Sequence, residues 1–539
     1  MKKTTDVYCV YIDFRNNTTE IFNYQTGEVT TITGINILDY LHLSEHSVVF
    51  INSVRTMTNR YPGGKNRNAH DWFHFQKADD VMEYTYDKIS FRSMTALTAG
   101  IKITDLKEIF GDIPVSICMA KFLEGWNKDI SKVRYSLAYN AVNRFYEDIK
   151  GILWDDIRKN NQYYFDVGIY KDCVAGNKAG WLCQDQNKRY SDVLMYDKRS
   201  AYGGVMCHDD IYPLSKIQKC SHTDDRQWVI RRYIKYRIEN KLWFRIVLAG
   251  GSDQLAPWYD EDTNCTVFDF YDVVAVVELG LWKYFYAAVM TVDDIRVYVC
   301  RETGMLNETF RQSVNTAFKN KEALPDNSLE KFIEKTEIAM LTGKSMQRKS
   351  NIKTNEDVDL EYRGRGDRYL KPEMGYHNIA RVRMEIIRAN LHCGSVYWDT
   401  DGVKVPNTPD NIDYFNKQND IIMKKNEAAG IDSNIGTWKF EGHADDLIVV
   451  RPKSYCYSEN GKVTLKLGVV DFDTRKRMIK DIGEDKIMDF IWENGVLPSQ
   501  YKYTLDGNNI ITNRNIAEPI GGRAEREGLN NGSNKKDTK

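Results

Sequence analysis

The sequence predicts a mixed α/β protein built from several packed units. Three observations lead there. The chain has 539 residues, more than one core comfortably holds, so two to four units are expected. Strand-like patterns fill residues 5–32 and recur at 192–197, 229–300 and 396–405. Helical spacing marks 306–321, 328–345 and 375–393, where Ile379, Val382, Ile386 and Ala389 share one face.

Taken in order, residues 5–32 read as three strands. Val7, Cys9 and Tyr11 alternate up to Asp13, Asn16-Asn17 punctuates, and Thr26-Gly27 turns the chain back to Val29. Asp192-Val-Leu-Met-Tyr-Asp197 reads as a buried strand. Residues 229–300 read as strand-rich, with a helical stretch near 272–286. Asn327 or Ser328 is expected to cap the 328–345 helix. Residues 346–371 read as a loop, 396–405 as a hairpin, the segment to about 470 as strands, and 475–493 as a helix.

Composition excludes some classes. Apolar residues make up 42% and charged residues 28%, too apolar for a disordered chain. No run is long and apolar enough to cross a bilayer, and no signal-peptide core follows Met1, so no membrane partner is expected. Ten cysteines without a Cys-x-x-Cys pair argue against a zinc ribbon and for reduced thiols in a cytoplasm. The net charge of −1 leaves nucleic acid open, because binding needs local charge only.

Two motifs carry chemistry. Asp197-Lys-Arg-Ser200-Ala-Tyr202 follows a buried strand, and Asp399-Thr-Asp401-Gly402 lies in a hairpin turn. If the hairpin packs beside that strand, Asp197 and Asp401 converge. Clustered carboxylates repel unless cations share them, and magnesium bound by acids plus phosphates suits such a site. Two ions ~3.5–4 Å apart activate a hydroxyl and stabilise a leaving pyrophosphate. Alone, either motif reads more readily as a plain turn acid. Lys331 and Lys335 share a helical stripe suited to a triphosphate, although Glu330, Glu334 and Glu337 also suit a solvated face.

The ordered set resembles family B DNA polymerases, most closely the protein-primed branch of small tailed phages. Asp197-x-x-Ser200-x-Tyr202 resembles the first palm motif, and Asp399-Thr-Asp401 the second. Lys335 with Leu341, Gly343 and Lys344 resembles the fingers motif. Met374-Gly375 with Arg383, then Ile435-Gly-Thr-Trp438, Glu441 and Lys453-Ser-Tyr455, resemble later elements. Lys178-Ala-Gly180 resembles the link between exonuclease and polymerase parts. The likeness covers about residues 175–470.

This resemblance implies a right-hand polymerase with palm, fingers and thumb, preceded by an RNase H-like exonuclease-type domain. The implied divisions are 1–170 for the exonuclease-like domain, 171–325 for the palm start with an insertion, and 326–374 for the fingers. The palm resumes over 375–470, the thumb spans 471–520, and 521–539 is a disordered tail. Asp197 and Asp401 would hold two Mg2+ ions, or Mn2+, with Asp399 assisting. Tyr202 and Ser200 would meet the incoming sugar, and Tyr202 would exclude ribonucleotides. Lys335 and Lys331 would grip the triphosphate. Lys453, Tyr455, Gly180, Arg383 and Lys344 would contact DNA. The implied partners are template-primer DNA, dNTPs and a priming protein, with the chain acting as a monomer.

The sequence departs from that pattern in places. Ala339, Met340 and Thr342 replace the fingers Asn, Ser and Tyr, Gly203 replaces a proline, and Gly402 replaces a serine. In the N-terminal domain the glutamate after Asp13-Phe14 is missing. Thr56 stands where a second acid is expected, and the Tyr-x-x-x-Asp element reads Tyr135-x-x-x-Tyr139. One acid cannot hold two ions, so this domain is expected to have lost proofreading. Two other classes remain: a polymerase-fold protein without catalysis, and a polymerase using RNA template or rNTPs.

Overall fold

A computed structural model describes residues 6–34, 41, 47–52, 72–75, 81–86, 89–95, 97–98, 103–134, 136–147, 167–174, 182–184, 188–261, 263–326, 328–346, 353–354, 356–357, 372–451, 453–467, 470, 472–494, 503–505 and 509–511. The chain forms two compact units. One joins residues 1–161 with 307–347 and 361–371, and the other holds 162–306, 348–360 and 372–539.

The first unit is built on a seven-stranded sheet. Strand Val7–Asp13 pairs antiparallel with Thr18–Asn23, which pairs with Val29–Thr33, as the alternation predicts. On its other side Val7–Asp13 runs parallel to Val48–Ile51, itself parallel to Ile89–Ser93. Three antiparallel strands followed by parallel ones give the RNase H-like arrangement. Helix Val115–Trp126 covers one face, burying Cys118, Met119, Phe122 and Leu123 against Val7, Cys9 and Phe50. Helices Glu308–Ala323 and Leu329–Ser345 belong to this unit too. The Ser328 hydroxyl caps the second, accepting from the Lys331 amide at 3.2 Å. The compact unit thus takes in the chain from 307, upstream of the division expected at 326.

The second unit has a seven-stranded antiparallel sheet at its centre. Its order is Lys462–Leu467, Ser454–Glu459, Trp438–Arg451, Lys188–Lys198, Gly402–Pro406, Tyr397–Asp399 and Leu182–Gln184. Alternation sorts the side chains. Leu194, Tyr196, Val403 and Val405 join a core with Val382 and Ile386 of helix Pro372–Cys393 and Phe415 of helix Pro409–Ala428. The intervening residues, Met195, Asp197 and Lys404, line a cleft with Tyr455 and Tyr457.

A five-stranded sheet (Gln218–Lys219, Ile295–Val299, Phe244–Ala249, Cys265–Asp269, Tyr259–Asp260) forms a second layer of this unit. Its core side carries a buried polar network. His377 bonds Asp269 at 2.8 Å and lies 3.3 Å from Asp209. Burial opposes its charge, yet the two carboxylates outweigh burial and hold the imidazolium to about pH 9.

Three expectations change. Residues 226–239 are helical, including a π-helical turn at Val229–Lys235, not strand. Helix Pro409–Ala428 was not expected; its start is signalled by Thr408 as cap and Pro409 in the first turn. The expected 475–493 helix is two, Phe472–Ile482 and Ile487–Asn494, broken at Gly483 with φ +98°. The 521–539 tail, most of the 346–371 loop and Gly180 lie outside the described residues. Among the described residues, no helix is long and apolar enough to cross a membrane, and the described free cysteines are buried.

Candidate active site

Three neighbouring strands assemble the central cleft. Asp197 lies opposite Gly402 on one side and Lys439 on the other. The turn after Asp399 folds back so that the Lys198 amide donates to the Asp401 carbonyl at 3.1 Å. This pairing converts a sequence gap of two hundred residues into adjacency. The cleft, about 410 Å³, is lined by Asp197, Asp399, Asp401, Glu441, Lys404, Lys453, Tyr455 and Lys466 among others. Sequence neighbours point elsewhere: Lys198 is buried on the helix side, paired with Glu385 and 4.8 Å from the Trp438 ring.

Gly402 lies close to the first acid. A Cβ there would sit 3.0 Å from Asp197 Oδ1, so the carboxylate would have to give by a few tenths of an ångström. Glu441 enters through a β-bulge, the register slipping between Phe440 and Gly442. Burial, then Asp401, then Glu441 raise the Asp197 pKa to about 7. A carboxylate so disfavoured as an anion fits a divalent cation, which would take the place of the proton. Among the described residues, no three His, Cys, Asp or Glu side chains form a ready ion cage. Asp197 and Asp401 are the carboxylates that could hold a divalent cation here, with other ligands completing its shell.

Backbone strain marks the same motifs. Ser200, Thr400 and Lys453 have φ of +49°, +56° and +58°. Such values are costly for residues other than glycine, most of all for β-branched Thr400, and cluster at functional sites. Ser200 starts the short helix Ala201–His208 that carries Tyr202. Gly204 of that helix meets Gly436; a Cβ on Gly204 would lie 2.5 Å from the Gly436 Cα. Asp399 is steadied by the Thr400 hydroxyl at 2.9 Å and the Tyr397 hydroxyl at 3.3 Å. Tyr397 accepts in turn from the Lys453 amide at 3.1 Å, tying the Lys453-Ser-Tyr455 turn to the acids.

Sequence reasoning passed over Lys404. It is 7% exposed, with its ammonium 4.2 Å from the Tyr455 ring and 4.8 Å from the Tyr397 ring. Burial lowers its pKa to about 8, and Asp399, Asp197 and Glu441 limit the fall. The signal was a lysine between two core valines, Val403 and Val405.

Other expected residues fare differently. Arg383 is 3% exposed and donates to Asp272 at 2.8 Å, so it joins helix Pro372–Cys393 to helix Phe270–Glu278 instead of facing a groove. Lys331, Lys335 and Lys344 stand in the first unit. Lys331 is engaged by Asp326 at 2.7 Å and the Leu324 carbonyl at 3.0 Å. Lys344 is 8% exposed, its ammonium 5.9 Å from the Tyr139 ring, so it is no surface DNA contact in this conformation. Lys335 is exposed.

The N-terminal domain holds less. Asp13 accepts from the Arg15 and Asn16 amides at 2.9 and 3.2 Å and from the Asn16 side chain at 2.8 Å. Asn52 is bonded to both backbone groups of Ile12. Thr56 and Tyr135 lie outside the described residues.

No family model and no curated protein sequence matches the chain. Solved structures do. Phi29 DNA polymerase complexed with primer-template DNA superposes with a TM-score of 0.61 at 11% identity, covering 93% of this chain and 97% of that one. Its ternary complex with primer-template DNA and incoming nucleotide substrates gives 0.58 at 12% identity, with the same coverage. The chain therefore has the fold of Phi29 DNA polymerase, the right-hand polymerase fold behind an RNase H-like domain that its motifs resemble.

Proposed function

We propose that the chain is a DNA-directed DNA polymerase that adds dNTPs to a primer hydroxyl and has no proofreading activity. The observation that carries this reading is the convergence of Asp197, near a strand end, and Asp401, in the adjoining hairpin turn, on one cleft within this fold. Two Mg2+ ions held there would activate the hydroxyl and offset charge on the leaving pyrophosphate. The protein's own side chains do the rest. Asp399, braced by Thr400 and Tyr397, orients the turn. Tyr202 stands under the sugar and rejects a 2′-hydroxyl. Lys453 and Tyr455 hold the primer end, and Lys335 meets the triphosphate.

The Phi29 structures contain primer-template DNA and incoming nucleotides, and the same partners are proposed here. A priming protein is proposed as an alternative hydroxyl donor. Buried free thiols suit action in a reducing cytoplasm. A non-catalytic scaffold is the second reading, favoured by the engagement of Lys331 and Lys344 within their own unit.

The experiment is extension of a primed DNA template with Mg2+ and dNTPs, with Asp401→Asn as control. Parallel reactions offer an RNA template, rNTPs, or a protein hydroxyl in place of the primer. Extension abolished by Asp401→Asn supports the reading. No extension from any template or primer favours the scaffold.

A further inference from the structure

The degenerate domain and the nucleotide-gripping helix share a core. Leu329 and Ile333 of helix Leu329–Ser345 are buried with Phe122, Leu123 and Trp126 of helix Val115–Trp126. The Phe332 ring lies 6.2 Å from both the Phe122 and Trp126 rings. The approach is close: a Cβ on Gly125 would stand 2.7 Å from Ile333 Cδ1 and 3.0 Å from Leu329 Cδ2, so the ends of those side chains would have to shift to admit one. Met340, one of the altered fingers residues, packs on the same core.

A polar clamp completes the joint. Arg144 of helix Leu137–Glu147 reaches Glu334 at 3.1 Å and Glu337 at 2.5 Å. Both glutamate side chains are nearly buried, at 10% and 5% exposure. One guanidinium therefore holds two carboxylates on successive turns, and this fixes the rotation of the helix about its axis. Tyr139, which replaces the expected exonuclease acid, comes from the same Leu137–Glu147 helix and lies against Lys344. The helix that would carry an exonuclease acid now faces the fingers segment.

Rotation matters because of what lies opposite. At about 100° per residue, the Lys331–Lys335 stripe sits roughly 160° around the helix from the Leu329, Ile333 and Met340 face. On that stripe Lys335 is exposed, although Ile338 and Thr342 further along the same side are buried.

We propose that the N-terminal domain is the seat of the nucleotide-gripping helix, and that Arg144 is a positioning residue setting the aim of Lys335 through Glu334 and Glu337. The inference rests on the polymerase reading for what Lys335 grips, though not for the joint itself. The joint gives the domain a role independent of nuclease chemistry.

The test uses the full chain with Arg144→Ala, Arg144→Lys and the gentler Glu337→Gln. Hydrogen exchange over 329–345, without substrate, reads the joint. Steady-state extension reads KM for dNTP separately from kcat. Exchange should rise roughly tenfold in Arg144→Ala while strand 188–198 stays protected, and KM should rise roughly tenfold with kcat changed much less. Arg144→Lys should recover part of both, and Glu337→Gln should show a smaller shift of the same kind.

Unchanged exchange over 329–345 in every variant overturns the joint. Raised exchange with unchanged KM overturns the positioning role. If Arg144→Ala does not fold, Arg144→Lys and Glu337→Gln decide by the same two readouts. A wild-type chain that extends no primer sinks the polymerase reading, and with it the aiming of Lys335 at a nucleotide, while exchange still decides whether the domain seats the helix.

Discussion

The Val7–Asp13 and Lys188–Lys198 strands both carry an aspartate near their C-terminal ends, and their neighbours differ. Beside Asp197 run strands that bring Asp401, Glu441 and Lys404 to one cleft. Beside Asp13 the neighbours supply amides: its carboxylate caps its own turn, and hydrogen bonds from Asn16 and Arg15 hold its pKa below the usual range. The contrast separates the two strand-end acids by their electrostatic surroundings. A carboxylate satisfied by local amides has no electrostatic demand for a cation, whereas one pushed up by burial and like charge does.

The sharpest way to break this contrast is to remove each acid in turn. Asp401→Asn should lower primer extension by roughly a thousandfold or more. Asp13→Asn should leave extension and melting temperature unchanged, and wild-type protein should trim no mismatched 3′ end. Magnesium-dependent trimming that survives Asp197→Ala would mean the N-terminal domain is a live nuclease.

Next in size is the sugar test. Tyr202→Ala should narrow dNTP over rNTP discrimination by roughly a hundredfold, measured as kcat/KM ratios. Unaltered rejection of rNTPs removes the role assigned to Tyr202.

Stability gives a third comparison that needs no turnover. Asp197 titrates near 3.8 when unfolded and at about 7 when folded. The native state therefore holds that proton more tightly, and stability falls as pH rises from about 4 through 7. With divalent cations chelated, Asp197→Asn should be the more stable protein at pH 8, by on the order of 2 kcal/mol. The gap should close towards pH 4, and a melting series showing no such convergence would refute the strain assigned to the cleft.

The smallest expected effect concerns Lys404. Removing a resident cation from among carboxylates should tighten Mn2+ binding by roughly tenfold in Lys404→Met. Electron paramagnetic resonance titration reads this without activity. Weaker or equal binding would show that the ammonium does not face the acids.

Much of the fold was legible where local signals are strong. The three N-terminal strands, the Ser328 cap and the hairpin around Asp399–Asp401 all appear as their patterns indicate. The Pro409–Ala428 helix escaped because its buried positions are few and half of them polar: only Asn411, Phe415, Ile422 and Asn426 are buried along twenty residues. Val229–Lys235 escaped because β-branched and aromatic residues favour strands when read locally, and tertiary packing overrode that preference.

By itself the sequence determined which residue types stand beside which breaks in pattern: an aspartate closing a buried strand, an Asp-Thr-Asp turn, a lysine stripe on a capped helix. Those follow from local geometry, which spacing encodes. Only the tertiary structure decided which groups share an environment. It set Lys404 facing the acids, turned Arg383 inward to Asp272, and buried Leu329 and Ile333 in the N-terminal core. Burial and charge pairing depend on strands and helices far apart in the chain, and no local pattern carries that information.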